Sequence, residues 1–372
     1  MRIGVPKEIK VHEYRVGLLP ASVREAVAHG HEVLVEKRAA ERQGFLDEDF
    51  EKAGGRIVES AEEVFEQADL IVKVKEPQPV EIAMLRPGQV LFTYLHLAPD
   101  RAQTEGLLNS GATAIAYETV TDGRGRLPLL SPMSEVAGRM SVQVGAHCLE
   151  MEQGGQGMLL GGVAGVPPAK VVVLGGGIAG SSAVRTAVGL EANVTCIDIR
   201  IERLYELDQL FGAALDTVYA TRHAVEEYVT GADLVIGAAL QPGASAPRII
   251  SRDLVRKMKR GSVIVDISID QGGISETSRP TTHAQPTYVE EGVVHYCVTN
   301  MPGAVARTST QALNNATLPF VLALADLGVV AALRADPHLR DGLNIFEGTV
   351  THRAVAEALE MPWHDAATAI GA

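Results

Sequence analysis

The sequence predicts an α/β protein: two doubly wound, parallel-sheet domains separated by a cleft and joined by long helices. Three observations predict it. Short apolar, β-branched runs alternate with helical patterns through residues 1–130, and again from about 168 to 305. Such alternation marks strand–helix–strand units whose strands are covered on both faces. The chain has 372 residues, long for one core and natural for two. A glycine-rich turn between an apolar strand and a helix stands at the head of the second block.

The elements follow in order. "RIGVP" is a strand, and "PASVREAVAHG" a helix opened by Pro20 and closed by Gly30. "HEVLVE", "RIVE", "DLIVKVK", "QVLFTYLHL" and "ATAIAYE" read as further strands, with "DEDFEKAGG", "SAEEVFEQA", "PVEIAMLRPG" and "DRAQTEGLLNSG" as the helices between them. Ligands in open α/β sheets bind beyond the carboxyl ends of the strands. Here those ends lead to Lys7, Glu8 and Arg15, to Lys73, Lys75 and Glu76, to Tyr94 and His96, and to Tyr117 and Glu118. Taken alone, His96 reads as a core histidine with its hydrogen bonds satisfied. Four strands bringing ionisable groups to one edge make it a proton-transfer candidate instead.

"SPMSEVAGRMSVQVGAHCLEMEQ", residues 131–153, reads as a long linking helix with Ser134 near its start. "AKVVVLGGGIAGSSAVRTAVGL" then runs a buried strand into Gly175-x-Gly177-x-x-Gly180 and a helix. Gly175 permits the tight turn, Gly177 lets the backbone approach a pyrophosphate, and Gly180 allows close helix–strand packing. The helix N-terminus offers unpaired N–H groups to phosphates. This is a Rossmann-like fingerprint, completed by Asp198 at the end of "NVTCIDI". Asp198 is placed to accept from the adenosine ribose and to repel a 2′-phosphate, which favours NAD over NADP. Arg200 and Arg203 temper that preference without reversing it.

Later strands end at Ala238–Leu240, at Asp266 and Asp270, and at Asn300. Leu240 and Ile267 suit the faces of a nicotinamide ring, and Asn300 its carboxamide. Asp270, followed by "QGG", also reads as a turn aspartate. Beyond residue 305 the chain reads as helix only, "TSTQALNNATLPFVLALADLG" and then "THRAVAEALE", packed back on the first domain. The predicted domains are residues 1–130 plus 306–372 for substrate and catalysis, and residues 131–305 for NAD.

Composition narrows the function classes. A net charge of −13 and a pI near 5.4 argue against nucleic acid, which requires a concentrated basic face. The longest apolar tract, "LPFVLALADLGVVAAL", is interrupted by Asp326, so no membrane partner is expected. The N-terminus has no signal-peptide core, and Cys148, Cys196 and Cys297 have no metal-type or disulfide spacing. A cytoplasmic protein is the expectation.

Motifs spread along the whole chain resemble the alanine dehydrogenase family: "GVPKEIK", "EYRVGLLP", "VKVKEP", "FTYLHLA", "AYETV", "LLSPMSEVAGRMSVQVGA", "IVDISIDQGG", "RPTTH" and "NMPGAVARTSTQALNNAT". The resemblance is collinear over residues 1–345. It implies reversible oxidative deamination of L-alanine to pyruvate and ammonium with NAD, in a cytoplasmic homohexamer. It also implies residue roles. Arg15 binds the substrate carboxylate, Lys75 lies at the carbonyl oxygen, and His96 and Asp270 are the acid/base groups. On the cofactor side it points to Ser134, Ile178, Ala179, Asp198, Arg203, Ala239, Leu240, Ile267, Arg279, Val298, Asn300 and Met301. Two alternative readings stand beside it: the NAD(H)-binding domain of a proton-translocating transhydrogenase, which resembles the family throughout both domains, or a related amino-acid dehydrogenase of the saccharopine or lysine type.

The chain departs from the family pattern in places. Arg38, Ala40 and Arg42 stand at glycine-type positions in "KRAAERQGFLD", so a changed loop is expected there. Glu191 stands where glycine is expected at a helix end, and Ala220 replaces a ribose-facing serine. Some relatives bind a metal through an acid and a histidine in the late helix. The matching positions are Ala323 and Leu327, so no metal is expected at that place.

Overall fold

A computed structural model describes residues 1–239 and 246–371. The chain divides into two compact units, Met1–Met133 with Val305–Ala372, and Ser134–Ala304. In chain order the strands are β1 (Arg2–Val5), β2 (Glu32–Glu36), β3 (Arg56–Val58), β4 (Leu70–Val72), β5 (Val90–Thr93) and β6 (Thr113–Ala116). These are followed by β7 (Lys170–Leu174), β8 (Asn193–Asp198), β9 (Asp216–Tyr219), β10 (Leu234–Gly237) and β11 (Val263–Asp266). The last are β12 (Thr287–Glu290), β13 (Val293–Tyr296), β14 (Leu343–Phe346) and β15 (Thr349–Val350).

The first unit carries the sheet β15-β14-β6-β5-β4-β1-β2-β3. Strands β1–β6 pair in parallel. Every residue of β4, β5 and β6 is buried, as expected of strands covered on both faces. Leu34, Ile71, Leu91 and Ala114 from the strands pack with Val64, Phe65, Leu107 and Val355 from the helices in one core. Capping fixes where those helices begin. The Ser60 side chain accepts from the Glu63 N–H (3.4 Å) and Asp100 from the Gln103 N–H (2.9 Å). Helix Ala306–Leu327 is tied in by buried Asn314, which accepts from the Leu19 N–H (2.7 Å) and donates to the Gly17 carbonyl (3.1 Å).

The second unit carries the sheet β12-β13-β11-β10-β7-β8-β9, parallel except for β12 against β13. Val172, Leu174, Ile197, Val235 and Ile264 form its core with Val229, Leu254 and Val255 of the covering helices. Among the described residues no single helix is long and apolar enough to cross a membrane.

Two expectations are corrected. The C-terminal segment is not helix only: β14 and β15 extend the first sheet, antiparallel to β6 and to each other. "LNIF" and "TV" are too short for a periodicity to show, and pairing of β14 with β6 and of β15 with β14 supplies what the local pattern lacks. The run "QVLFTYLHL" also leaves the sheet early, at Thr93. Arg38 and Glu191 both adopt left-handed backbone, each at φ 62°, at a cost of about 1 kcal/mol apiece. Arg38 offsets part of it by donating from its N–H to Asp47 (2.7 Å) and from Nε to Glu41 (2.7 Å).

Candidate active site

The carboxyl edge of the first sheet gathers the ionisable groups of the first unit. Buried Arg15 follows buried Glu13 by two residues in the loop between β1 and helix Pro20–Ala28. Nε and Nη2 donate to the two Glu13 carboxylate oxygens at 2.7 Å each, and Nη1 lies 3.0 Å from Met133 Sδ. This fork-to-fork pair fixes the guanidinium plane. Burial alone pushes the Arg15 pKa down; the Glu13 hydrogen bonds and charge reverse this and leave it raised.

Glu8 organises the segment after β4. It accepts from the Val74 N–H (2.6 Å), the Lys75 N–H (3.2 Å) and Lys73 Nζ (3.1 Å). Lys73 also donates to Glu81 (2.6 Å) and is fully buried. This corrects the reading of Lys73 as a group delivered to the edge: it is the internal counter-ion of two carboxylates. Burial raises the Glu8 pKa despite Lys73, and the two carboxylates raise that of Lys73 against its own burial. Lys75, one alternation further, is only partly buried. Its carbonyl accepts from Thr93 Oγ1 (3.0 Å). Glu76 pairs with Lys10; burial favours its neutral form, but Lys75 and Lys10 hold its pKa below the usual value.

His96 lies three residues past the end of β5 in left-handed backbone, φ 50°. A non-glycine residue in that region is a strained position that its surroundings must hold. Its N–H donates to Glu118 Oε1 (2.6 Å), and the preceding Leu95 N–H reaches the same carboxylate at 3.1 and 3.2 Å. The Leu95 carbonyl accepts from Gln103 Nε2 (2.7 Å). The imidazole stacks on Tyr94 with an interplanar angle of 5°. Tyr94 donates to the Leu129 carbonyl (2.6 Å), and its ring meets that of buried Tyr117 edge to face. The two tyrosines are therefore supports rather than edge groups. The His96 side chain remains 46% exposed. Desolvation pushes its pKa below the ordinary value, with the nearby Lys75 and Lys10 adding to this and Glu118 and Glu76 opposing it. A neutral imidazole near pH 7 is a competent proton acceptor.

In the second unit the glycine turn has the form its spacing predicts. Gly175 has φ 101°, and a Cβ there would lie 2.7 Å from the Ala238 carbonyl oxygen. A Cβ on Gly180 would fall 1.8 Å from the Gly175 oxygen. A Cβ on Gly177 would meet nothing within 4 Å, so that glycine keeps open space at the N-terminus of helix Ile178–Gly189. Asp198, nearly buried at the end of β8, accepts from the Gly176 N–H (2.7 Å) through Oδ2 and from the Arg200 N–H (2.8 Å) through Oδ1. Arg203 donates from Nε to the Gly176 carbonyl (2.5 Å), bracing the same turn. Partly exposed Ala179 and Gly177, and exposed Ile178, border that space. The turn, the helix end and the acid therefore fit a dinucleotide.

The remaining candidates are spread through this unit. Ser134 and Ala239 are partly exposed. Ile267 opens the short helical turn Ile267–Gln271, and exposed Asp270 lies within it. Asp266 accepts from Ser278 Oγ (2.6 Å) and from the Ile274 and Ser268 N–H groups, so it anchors the turn instead of facing a ligand. Arg279 lies over the Tyr288 ring at 3.8 Å. Val298 and Met301 are buried, and the Asn300 carbonyl accepts from His283 Nε2 (2.7 Å). Leu240 lies outside the described residues. Among the described residues no group of three or more His, Cys, Asp or Glu side chains is placed to hold a metal.

Two contributors escaped the motif reading. Glu13 had a sequence signal, an acid two residues before an arginine. Glu118 was visible as an acid at a strand end, but its task lies in backbone N–H groups that no pattern marks.

The comparisons agree along the whole chain. The profile described as "Alanine dehydrogenase/PNT, N-terminal domain" matches residues 4–137, and that described as "Alanine dehydrogenase/PNT, C-terminal domain" matches residues 141–353. An alanine dehydrogenase of Halomonas elongata is 59% identical over 371 residues, covering 100% of both chains. One from Mycobacterium tuberculosis is 51% identical over 370 residues, again covering 100% of both. A solved L-alanine dehydrogenase superposes with a TM-score of 0.94 at 52% identity, covering 97% of this chain and 99% of the other. A transhydrogenase from Sinorhizobium meliloti reaches 0.81 at 26% identity, over 95% and 100%.

Proposed function

Because the chain belongs to the alanine dehydrogenase/PNT family, we propose that it is an NAD-dependent L-alanine dehydrogenase. It oxidises L-alanine to pyruvate and ammonium, reversibly. The observation that carries this reading is the first unit's sheet edge, where a buried Arg15 oriented by Glu13, a partly exposed Lys75 and a strained His96 follow β1, β4 and β5, which are neighbours in the sheet. Full-length identity of 51–59% to alanine dehydrogenases supports it. The higher identity to the solved alanine dehydrogenase than to the transhydrogenase, 52% against 26%, favours it over a cofactor-binding module.

A bound nicotinamide dinucleotide supplies the hydride acceptor. The protein's own residues supply the rest. Glu13 holds the Nε–Nη2 edge of Arg15 and presents its Nη1–Nη2 end to the substrate carboxylate. His96, kept neutral by desolvation, takes the proton released as water adds to the iminium carbon and returns it as the carbinolamine collapses. Lys75 stabilises negative charge developing on the carbonyl oxygen in the amination direction. Asp270 is assigned the second acid/base role from its motif. Gly175, Gly177, Gly180 and Asp198 hold the dinucleotide, and Arg203 supports them. Ser134, Ile178, Ala179, Ala239, Ile267, Arg279, Val298, Asn300 and Met301 complete the assignment. Asp198, an acid that repels a 2′-phosphate, favours NAD, with Arg200 and Arg203 tempering that preference. A cytoplasmic homohexamer, with residues 1–130 plus 306–372 as the catalytic domain, belongs to the same proposal.

The test is NADH formation from L-alanine and NAD, compared with L-lysine, saccharopine and other L-amino acids. Selective turnover of L-alanine that His96→Ala lowers by about a hundredfold or more, with NADH binding intact, supports the reading. NADH binding without turnover of any amino acid would replace it by the binding-module reading.

A further inference from the structure

Parallel pairing of β5 with β6 sets Thr93 opposite Ala116. Two residues beyond Ala116, Glu118 therefore comes level with the Leu95–His96 peptide, and its carboxylate takes both N–H groups there. The turn carrying Glu118 is itself pinned, since buried Asn344 of β14 donates to Thr119 Oγ1 (2.9 Å). We propose that Glu118 is a positioning residue for His96, resting on the alanine dehydrogenase reading: its carboxylate holds the left-handed turn that aims the imidazole.

The strain locates the function. Nothing in "YLHLA" obliges a histidine to take φ 50°; without an acceptor for the two N–H groups, the segment relaxes toward extended backbone and carries the ring with it. Glu118 Oε1 also lies 3.9 Å from His96 Nδ1, too far for a hydrogen bond but close enough for its charge to favour the imidazolium. The other groups acting on His96 are Lys75, Glu76 and Lys10, and its ring is stacked on Tyr94. From the C-terminal segment His352 feels the Glu118 charge, and its own pKa is lowered chiefly by burial. Glu118 thus has two separable effects, a geometric one through neutral-capable acceptors and an electrostatic one through its charge.

Two variants of the whole enzyme separate them. Glu118→Gln retains an oxygen for both N–H groups but loses the charge; Glu118→Ala loses both. The expected result is a fall in kcat of about a hundredfold in the alanine variant with the L-alanine KM and NADH affinity little changed. The glutamine variant recovers most of that loss. In both, the acid-side midpoint of the kcat/KM profile moves to lower pH, because the carboxylate that favoured protonation of His96 is gone. NMR titration of histidine-labelled protein, with the His96 signal identified by its loss in His96→Gln, gives the same shift without turnover. Unchanged kcat in the alanine variant, or an unmoved His96 titration in both variants, would overturn the proposal. A wild type inactive on L-alanine would sink the functional reading alone, while the NMR titration would still decide the coupling. Should the alanine variant fail to fold, the glutamine variant and its titration decide alone.

Discussion

Replacing Gly177 by alanine separates what the fold requires of this glycine from what a dinucleotide requires. Its backbone, φ −63° and ψ −162°, is open to any L residue, and the added methyl meets no heavy atom within 4 Å. Alanine at a compatible glycine position stabilises by about 0.4–1 kcal/mol through the unfolded chain. Loss of the favoured N-cap residue costs about as much. The two offset each other, so Tm is expected to move by no more than about 4 °C. The methyl occupies the space a pyrophosphate needs, and NADH affinity is expected to fall at least about tenfold, or about 1.4 kcal/mol. Gly180→Ala is the contrasting case. Its Cβ would fall 1.8 Å from the Gly175 oxygen, a clash with main chain whose relief costs about 3 kcal/mol or more. Thermal unfolding and NADH fluorescence titration on the same preparations distinguish the two. A folded Gly177→Ala protein that binds NADH as tightly as the wild type would refute the placement of the phosphates.

Three further outcomes follow from the charged groups. Arg15→Lys loses the bidentate Glu13 pair, so the KM for L-alanine and pyruvate is expected to rise by about tenfold to a hundredfold, about 1.4–3 kcal/mol, with the NADH Kd unmoved in a direct titration. Lys73→Met leaves Glu8 and Glu81 buried without their cation and is expected to cost about 3–5 kcal/mol in urea unfolding near pH 7. Because the folded-state pKa of Glu8 is raised, the folded protein binds that proton more readily than the unfolded chain does, and the deficit shrinks as pH falls through it; a deficit that does not vary with pH contradicts the assignment. For His96 the folded-state pKa is lowered, so the unfolded chain binds the proton more readily. Its contribution to stability is full above the ordinary histidine value and declines as pH falls below it. The same group should give kcat/KM an acid-side midpoint below about 6.5, and a midpoint above that value assigns the limb to another residue.

Much of this was legible because strand and phosphate-turn signals are local. "KVVVLGGGIAG" states its strand, its turn and its helix within eleven letters, and the structure has the strand, the left-handed Gly175 turn and the close Gly180 packing there. The strands β1 to β6 were readable for the same reason, as buried β-branched runs. β14 and β15 were not, because four- and two-residue strands draw their stability from pairing, β14 with β6 and β15 with β14, and not from their own pattern. At the sheet edge, residue type and order marked Arg15, Lys75 and His96 as candidates, but not which neighbours hold them. Lys73 and Lys75 differ by one alternation, and burial beside Glu8 and Glu81 turns the first into an internal counter-ion. The left-handed turn at His96 is invisible in sequence, since the contacts that hold it come from the tertiary placement of Glu118 and Gln103.

Following the hydride tests whether this protein oxidises L-alanine at Cα. L-Alanine carrying deuterium at Cα is incubated with the enzyme and NAD, and the reduced dinucleotide and pyruvate are examined by mass spectrometry. One deuterium is expected on the reduced nicotinamide ring, none on pyruvate, with slower turnover than with unlabelled L-alanine. Reduced dinucleotide without deuterium, or deuterium lost to water while pyruvate forms, would contradict it.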